Sequence, residues 1–168
     1  MHCFQTERIG TPIGDMILVA RDGVLLLFEF EDASDRVERE LRLRFGEAKM
    51  EPASNPFGLS ARVRDYFSGD VHAIDQILTD GGGSSFEQKV WSELRRIPPG
   101  TTTSYGELAK RIGNPNGMRA VGLANGRNPI AIVVPCHRVI GKDGSMTGYG
   151  GGLVRKEWLL RHEGALLL

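Results

Sequence analysis

Asp15 to Ala20 and Val24 to Phe30 are apolar, β-favouring runs, and the Arg21-Asp22-Gly23 between them has the Asp-Gly chemistry of a hairpin turn. The period then changes. After Ser34, the residues Val37, Leu41 and Phe45 recur at helical spacing in a charged background, and Gly46 ends the run. Asn55-Pro56 through Phe67 predicts a second helix, with proline in its first turn and Gly69 as its stop. Val71 to Leu78 predicts a further short strand. Asp80-Gly81-Gly82-Gly83-Ser84 then interrupts the pattern and marks a boundary between residues 1–83, a small α/β domain, and residues 84–168.

Beyond the break, Ser85-Phe86-Glu87-Gln88 fits a capping box, in which a serine hydroxyl and a glutamine side chain satisfy free amides at a helix start. That helix runs to about Ile97, where Pro98-Pro99-Gly100 stops it. Ser104-Tyr105-Gly106-Glu107 repeats the device ahead of a helix ending at Gly113, and Asn114-Pro115-Asn116 separates it from a third helix over Gly117 to about Asn125. Two short helices joined by a Gly/Asn/Pro turn make a helix-turn-helix. In the third helix Ala120, Gly122 and Ala124 present almost no side chain while Arg119 projects from the first turn. Two readings stay open: close packing in a core, or a small-residue face that lets the backbone approach a narrow groove while Arg119 enters a duplex. Ile130 to Val134 predicts a buried strand. Lys142-Asp143-Gly144-Ser145 has turn chemistry between Val139-Ile140 and Met146-Thr147, predicting a hairpin wing. A glycine-rich loop, Gly148 to Gly152, leads into an amphipathic helix over Leu153 to His162, with Trp158 on its apolar side and Glu163-Gly164 at its end.

Composition narrows the class. In 168 residues, 40% are hydrophobic and 25% charged, the balance of a globule with a real core rather than a disordered chain. The N-terminus lacks the basic flank and apolar run of a signal peptide, and no stretch approaches the ~18 apolar residues that span a bilayer. Two cysteines, Cys3 and Cys136, disfavour a disulfide framework, so a reduced, cytoplasmic setting is expected. Net charge is zero, yet from Ser84 onward 12 Lys and Arg face 6 Asp and Glu, against 9 and 15 before it. The basic half is the one that carries the helix-turn-helix, which is the asymmetry of a polyanion-facing module. His2, Cys3 and His72 are too few for a tetrahedral zinc site, so no metal is expected, and no cofactor.

Pro135-Cys136-His137-Arg138-Val139 holds the candidate nucleophile. A free thiol has a pKa near ~8.5, so at neutral pH only a few per cent is thiolate and a neighbouring base is needed. His137 is that base and Glu163 the group that orients it. Adjacent side chains on a strand point to opposite sides, so the chain must turn at Cys136 for the pair to meet. Other readings remain: an inert buried thiol; a cysteine hydrolase built on Cys136, His137 and Asn128, which would need turnover and an oxyanion hole; or a non-catalytic, alkylated-base-binding or regulatory helix-turn-helix protein, which would not need the thiol.

Taken together, Pro135-Cys136-His137-Arg138-Val139, Thr103-Ser104-Tyr105-Gly106, Arg119-Ala120-Val121-Gly122, Asn128-Pro129, Gly151-Gly152-Leu153 and Lys156-Glu157-Trp158-Leu159-Leu160 closely resemble the O6-alkylguanine-DNA alkyltransferases, over Ser85 to Gly164. The N-terminal part resembles them only from Thr11-Pro12-Ile13-Gly14 onward. The resemblance implies an α+β fold: a ribonuclease-H-like first domain, then a helix-turn-helix (winged-helix-like) alkyltransferase domain docking in the minor groove of double-stranded DNA. It implies a single-turnover methylated-DNA-protein-cysteine methyltransferase acting on O6-alkylguanine and also O4-alkylthymine, a monomer in solution, with cooperativity on DNA left open. Cys136 is then the alkyl acceptor, His137 the base acting through a water, Glu163 its orienting group and Asn128 the brace of the active-site turn. Arg119 fills the stack when the base is rotated out, and Tyr105 pushes the target phosphate and contacts the flipped base. Ser104, Ala120, Gly122 and Ala124 join the DNA surface, while Val139, Tyr149 and Gly150 line the base pocket, with Lys156 nearby. Gly150 stands where many relatives carry serine, so only a backbone amide serves there.

Overall fold

The structure is a computed structural model that describes residues 2–166. The chain divides into two compact units: the residues up to Gly82 together with Pro129–Val133, and Gly83–Asn128 together with the chain from Val134 on. The division between Gly82 and Gly83 falls inside the glycine-rich break, but the strip Pro129–Val133 is a second excursion into the first unit that pattern alone gave no hint of.

In the first unit β1 (His2–Ile9), β2 (Met16–Arg21) and β3 (Val24–Phe30) form an antiparallel meander. Asp22 and Gly23 both take positive φ, 53° and 81°, as a two-residue hairpin turn with the strands' own twist requires. Helix α1 (Ser34–Phe45) carries the chain back across the sheet, so β4 (Ala48–Pro52) pairs with β1 in parallel and the order is β3-β2-β1-β4. Val37 and Leu41 of α1 bury against Phe4, Val19, Leu26 and Leu27, each such side chain contributing about 1.5–3 kcal/mol. Neither β1 nor β4 is visible as an apolar run, because among the described side chains of β1 only Phe4 and Ile9 are buried.

Three expectations about this unit need correction. The helix predicted from Asn55 is two pieces, a 3-10 turn (Pro56–Gly58) and α2 (Leu59–Phe67), since Phe57 and Gly58 take positive φ and break the backbone path. Val71 to Leu78 is a series of turns that drops Ile74 and Ile77 into the core, and only Thr79 bridges to Leu25 of β3. Ile130 to Val134 is buried but is not a strand. Pro129 O accepts from Phe28 N at 3.0 Å and Ala131 N donates to Phe28 O at 2.8 Å, after which Val133 N donates to Ala131 O at 2.7 Å around Ile132, whose φ is 70°. That is a one-residue turn on a β-branched residue in the left-handed region, a rare and strained conformation.

The second unit has α3 (Ser85–Leu94), α4 (Tyr105–Arg111), α5 (Met118–Gly126) and α6 (Leu153–His162), with β5 (Thr103–Ser104) parallel to β6 (Val139–Ile140). The capping box of α3 lies one residue earlier than predicted, on Ser84 and Glu87. Ser104 caps α4 by accepting from Glu107 N at 3.1 Å. Val90, Trp91 and Leu94 of α3, Leu108 and Ala109 of α4, Val121 of α5 and Leu159 and Leu160 of α6 are buried. Trp158 is only half-buried, stacked on His162. The predicted wing is a turn without a second strand: Gly141 N donates to Ser145 O, Met146 and Thr147 are irregular, and β6 pairs with β5 instead. Among the described residues no helix is long and apolar enough to cross a membrane.

Candidate active site

The candidate nucleophile, Cys136, sits in a segment bent twice. Cys136 N donates to Val134 O at 2.8 Å across Pro135, whose φ of −82° and ψ of 64° make an inverse γ-turn. A 3-10 turn then runs over Cys136–Arg138, closed by Arg138 N on Pro135 O. The chain therefore turns at Cys136, and at three residues per turn the side chains of Cys136, His137 and Arg138 leave it in three directions instead of alternating. Two asparagines hold the turn. Asn128 Nδ2 donates to Val134 O at 2.8 Å, and Asn125 Nδ2 to Cys136 O at 3.4 Å.

Cys136 is 8% exposed and His137 wholly buried. His137 Nε2 is 2.9 Å from Glu163 Oε2, and Arg138 grips the same carboxylate from the other side, Nε to Oε1 and Nη2 to Oε2 at 2.9 Å each. Arg138 Nη1 also donates to Ile97 O at 2.6 Å. Burial pushes Glu163 up, but its bonds to His137 and Arg138 and the Arg138 charge outweigh that and hold it far below the usual carboxylate range. Burial pulls His137 down, aided by the charges of Arg138 and Lys156 and opposed by Glu163, so the imidazole is neutral. An ionised Glu163 can only accept, so Nε2 carries the proton and Nδ1 keeps a lone pair. Nδ1 is buried with no hydrogen-bond partner among the described residues.

Lys156 is fully buried, and its Nζ donates to Val139 O and Thr147 O at 2.6 Å each. Burial lowers it to about 8, with the charge of Cys136 working the other way. It ties the irregular 141–152 loop to β6. Thr147 also meets Tyr105, Oγ1 to Oη at 3.4 Å. Tyr149 is half-buried and Gly150 exposed on that loop, while the Val139 carbonyl expected in the base pocket already takes one bond from Lys156.

On α5 the expected small-residue face is split. Arg119 and Ala120 are exposed, and Gly122 turns toward α4, where an added Cβ would lie 3.9 Å from Tyr105 Cδ1. Ala124 faces the core at 2% exposure, its carbonyl accepting from Trp91 Nε1 at 2.8 Å. Ala124 thus follows the core-packing reading and is withdrawn from the DNA surface, while Arg119 and Ala120 lie on the open side of the helix. Sequence reasoning gave Arg138 and Asn125 no role. The signal for Asn125 was available, since Val121, Ala124, Asn125 and Asn128 follow the i, i+3, i+4, i+7 stripe of a buried helix face; a bidentate Arg138–Glu163 pair 25 residues apart leaves no such trace.

A helix-turn-helix unit whose one cysteine is buried and precedes a carboxylate-held imidazole in the chain has the makings of a DNA-binding protein with a candidate cysteine nucleophile. The comparisons give the family. The model of the 6-O-methylguanine DNA methyltransferase DNA-binding domain matches residues 85–165. A methylated-DNA–protein-cysteine methyltransferase of Salmonella typhimurium is 50% identical over 96% of both chains, and one of Methanosarcina acetivorans is 43% identical over 92% of this chain and 95% of its own. The crystal structure of Mycobacterium tuberculosis O6-methylguanine methyltransferase superposes with a TM-score of 0.76 at 39% identity, covering 98% of this chain and 93% of that one. A structure of Mycobacterium tuberculosis OGT in complex with DNA gives 0.74 at 38%, covering 96% and 92%. The chain belongs to the methylated-DNA–protein-cysteine methyltransferase family.

Proposed function

We propose that this protein repairs DNA by moving the alkyl group of O6-alkylguanine, and of O4-alkylthymine, onto its own Cys136, once per molecule. The observation that carries the reading is the chain Arg138–Glu163–His137, which leaves Nδ1 of a neutral histidine unpartnered next to the thiol in sequence. Nδ1 takes the thiol proton through a water. The thiolate then attacks the alkyl carbon: a carbon–sulfur bond forms, the carbon–O6 bond breaks with its electron pair on guanine, and the proton passes to the base. The protein keeps a thioether, which lacks the acyl carbon that lets water regenerate a hydrolase, so it is consumed. Neither a metal nor a cofactor enters this balance.

The alkyl carbon lies inside a base pair and must be exposed, at a cost of a few kcal/mol that is smaller for a mispaired lesion. The helix-turn-helix meets the duplex from its minor groove. Exposed Arg119 replaces the extruded base, Ser104, Ala120 and Gly122 lie along the contact, and Tyr105 holds the target phosphate and base. Val139, Tyr149 and Gly150 line the pocket, and Lys156 fixes the loop that carries the last two. The first unit is ribonuclease-H-like, the glycine-rich break separates it from the DNA-binding domain save for the strip Pro129–Val133, and the protein works as a cytoplasmic monomer.

Intact-protein mass spectrometry after mixing with an O6-methylguanine oligonucleotide tests this. One methyl adduct mapping to residue 136 is expected, and Cys136→Ala should bind DNA without acquiring it. An unmodified protein that turns over, or an adduct at Cys3, would overturn the assignment.

A further inference from the structure

The buried stripe of α5, Val121, Ala124 and Asn125, defines by exclusion what the helix offers outward. Arg119, Leu123 and Arg127, the last capping the C-terminal end of the helix, stand at i, i+4 and i+8 and are all exposed, Leu123 at 56%. Four-residue steps stay on one side of a helix, so the three form a line with cationic ends and an apolar centre about 12 Å long. Neither arginine makes an ion pair among the described residues, whereas Arg111, Arg138 and Arg161 of the same unit are each paired to a glutamate. Two uncompensated guanidinium groups flanking an exposed leucine match no intramolecular purpose.

We infer that Leu123 and Arg127 extend the DNA contact of Arg119, with Leu123 entering the groove mouth against the sugar walls and Arg127 closing on a backbone phosphate beyond it. This rests on the minor-groove reading of the helix-turn-helix given above. A helix 10–12 Å across cannot sink into a groove about 6 Å wide, so it must lie across the opening. Only the outermost side chains then enter. An apolar residue in the middle of the line loses water against the sugars as minor-groove wedges do, and the cation at the far end reaches the phosphate wall. The two residues therefore differ in how salt acts on them. A phosphate contact adds about 0.9 to the slope of log K against log salt, while an apolar contact adds nothing.

Affinity for a duplex containing O6-methylguanine, measured with the full chain between 50 and 300 mM salt, separates the two roles. Arg127→Ala should weaken binding about five- to tenfold at low salt and flatten the slope by about 1. Leu123→Ala should weaken it about three- to tenfold at every salt concentration with the slope unchanged. Arg62→Ala removes an exposed arginine of the first unit and should leave the slope as it was, separating a contact from a change in net charge. Both α5 substitutions are at the surface, so thermal midpoints should match the parent. The inference is overturned if Arg127→Ala keeps the parent slope, if Leu123→Ala keeps the parent affinity or changes the slope, or if Arg62→Ala flattens it equally. Adduct mapping to Cys136 is read separately, so loss of this surface role leaves the alkyl-transfer assignment standing, and the converse.

Discussion

Glu163 divides two oxygens between a histidine and an arginine, and that division sets the chemistry of its neighbours. Glu163→Gln leaves Arg138 buried without its counter-charge and lets the amide bind either ring nitrogen of His137. Transfer should slow about 100-fold in single-turnover measurements, the scale of a lost general base, and stability should drop by about 3 kcal/mol. Because the folded pKa of Glu163 lies below its unfolded value of about 4.3, its contribution is complete above that pH and fades as pH falls below it. The stability gap between the two proteins, followed by urea denaturation, should therefore narrow below pH 4; a gap constant to pH 3 would sink the ionised-carboxylate account. His137, held below its ordinary value, stays neutral when pH drops past 6.5, so the transfer rate should remain level there and fall only at lower pH. At the alkaline end Lys156, lowered to about 8, sheds its charge and holds Val139 O and Thr147 O less firmly. A rate loss centred near pH 8 is expected in the parent and should vanish in Lys156→Arg, whose guanidinium stays charged. The candidates Cys136 and His137 were legible in advance because they share the short motif Pro135 to Val139, and Glu163 because it stands at the end of the last helix, where the structure brings it to His137. Arg138 was not, since its partners Glu163 and Ile97 O are distant in the chain and only the fold joins them.

Among the elements, local chemistry decided what the sequence revealed. Helices with caps and strands with an Asp-Gly turn announce themselves: β2, β3, α1 and the helices of the second unit lie within a few residues of where pattern puts them. Segments whose path depends on tertiary pairing do not. β1 is polar along most of its length and becomes a strand because β2 and β4 flank it. Ile130 to Val134 reads as a strand by composition, yet its backbone is bent at Ile132. Caps are testable at this level, and Ser84→Ala should cost about 1 kcal/mol of unfolding free energy by removing the acceptor for Glu87 N. Where β3 meets α1, Glu29 is 6% exposed, and burial raises it to about 7 against the pull of Arg36. Between about pH 4.3 and 7 the folded protein keeps a proton that the unfolded chain has lost, so stability falls as pH rises through that window. Glu29→Gln removes the titration, and its stability relative to the parent should climb by about 1–3 kcal/mol between pH 4 and pH 8; a difference independent of pH would show Glu29 ionised throughout.

At the scale of the whole molecule, the chain enters the first unit twice, by its N-terminal portion and again by Pro129–Val133, which hydrogen-bonds β3 at Phe28. A fragment ending at residue 83 therefore leaves Phe28 N and O unpaired on the outer strand, and open strand edges recruit one another. Size-exclusion chromatography of that fragment should show self-association, whereas a monodisperse monomer would mean the strip is dispensable.

The same threading changes what a protease can accomplish. Scission within Gly81–Gly83 cuts the peptide without releasing either piece, because one of them still has a finger woven into the other's sheet. Such a nicked molecule should travel as a single particle until denaturant pulls that finger out.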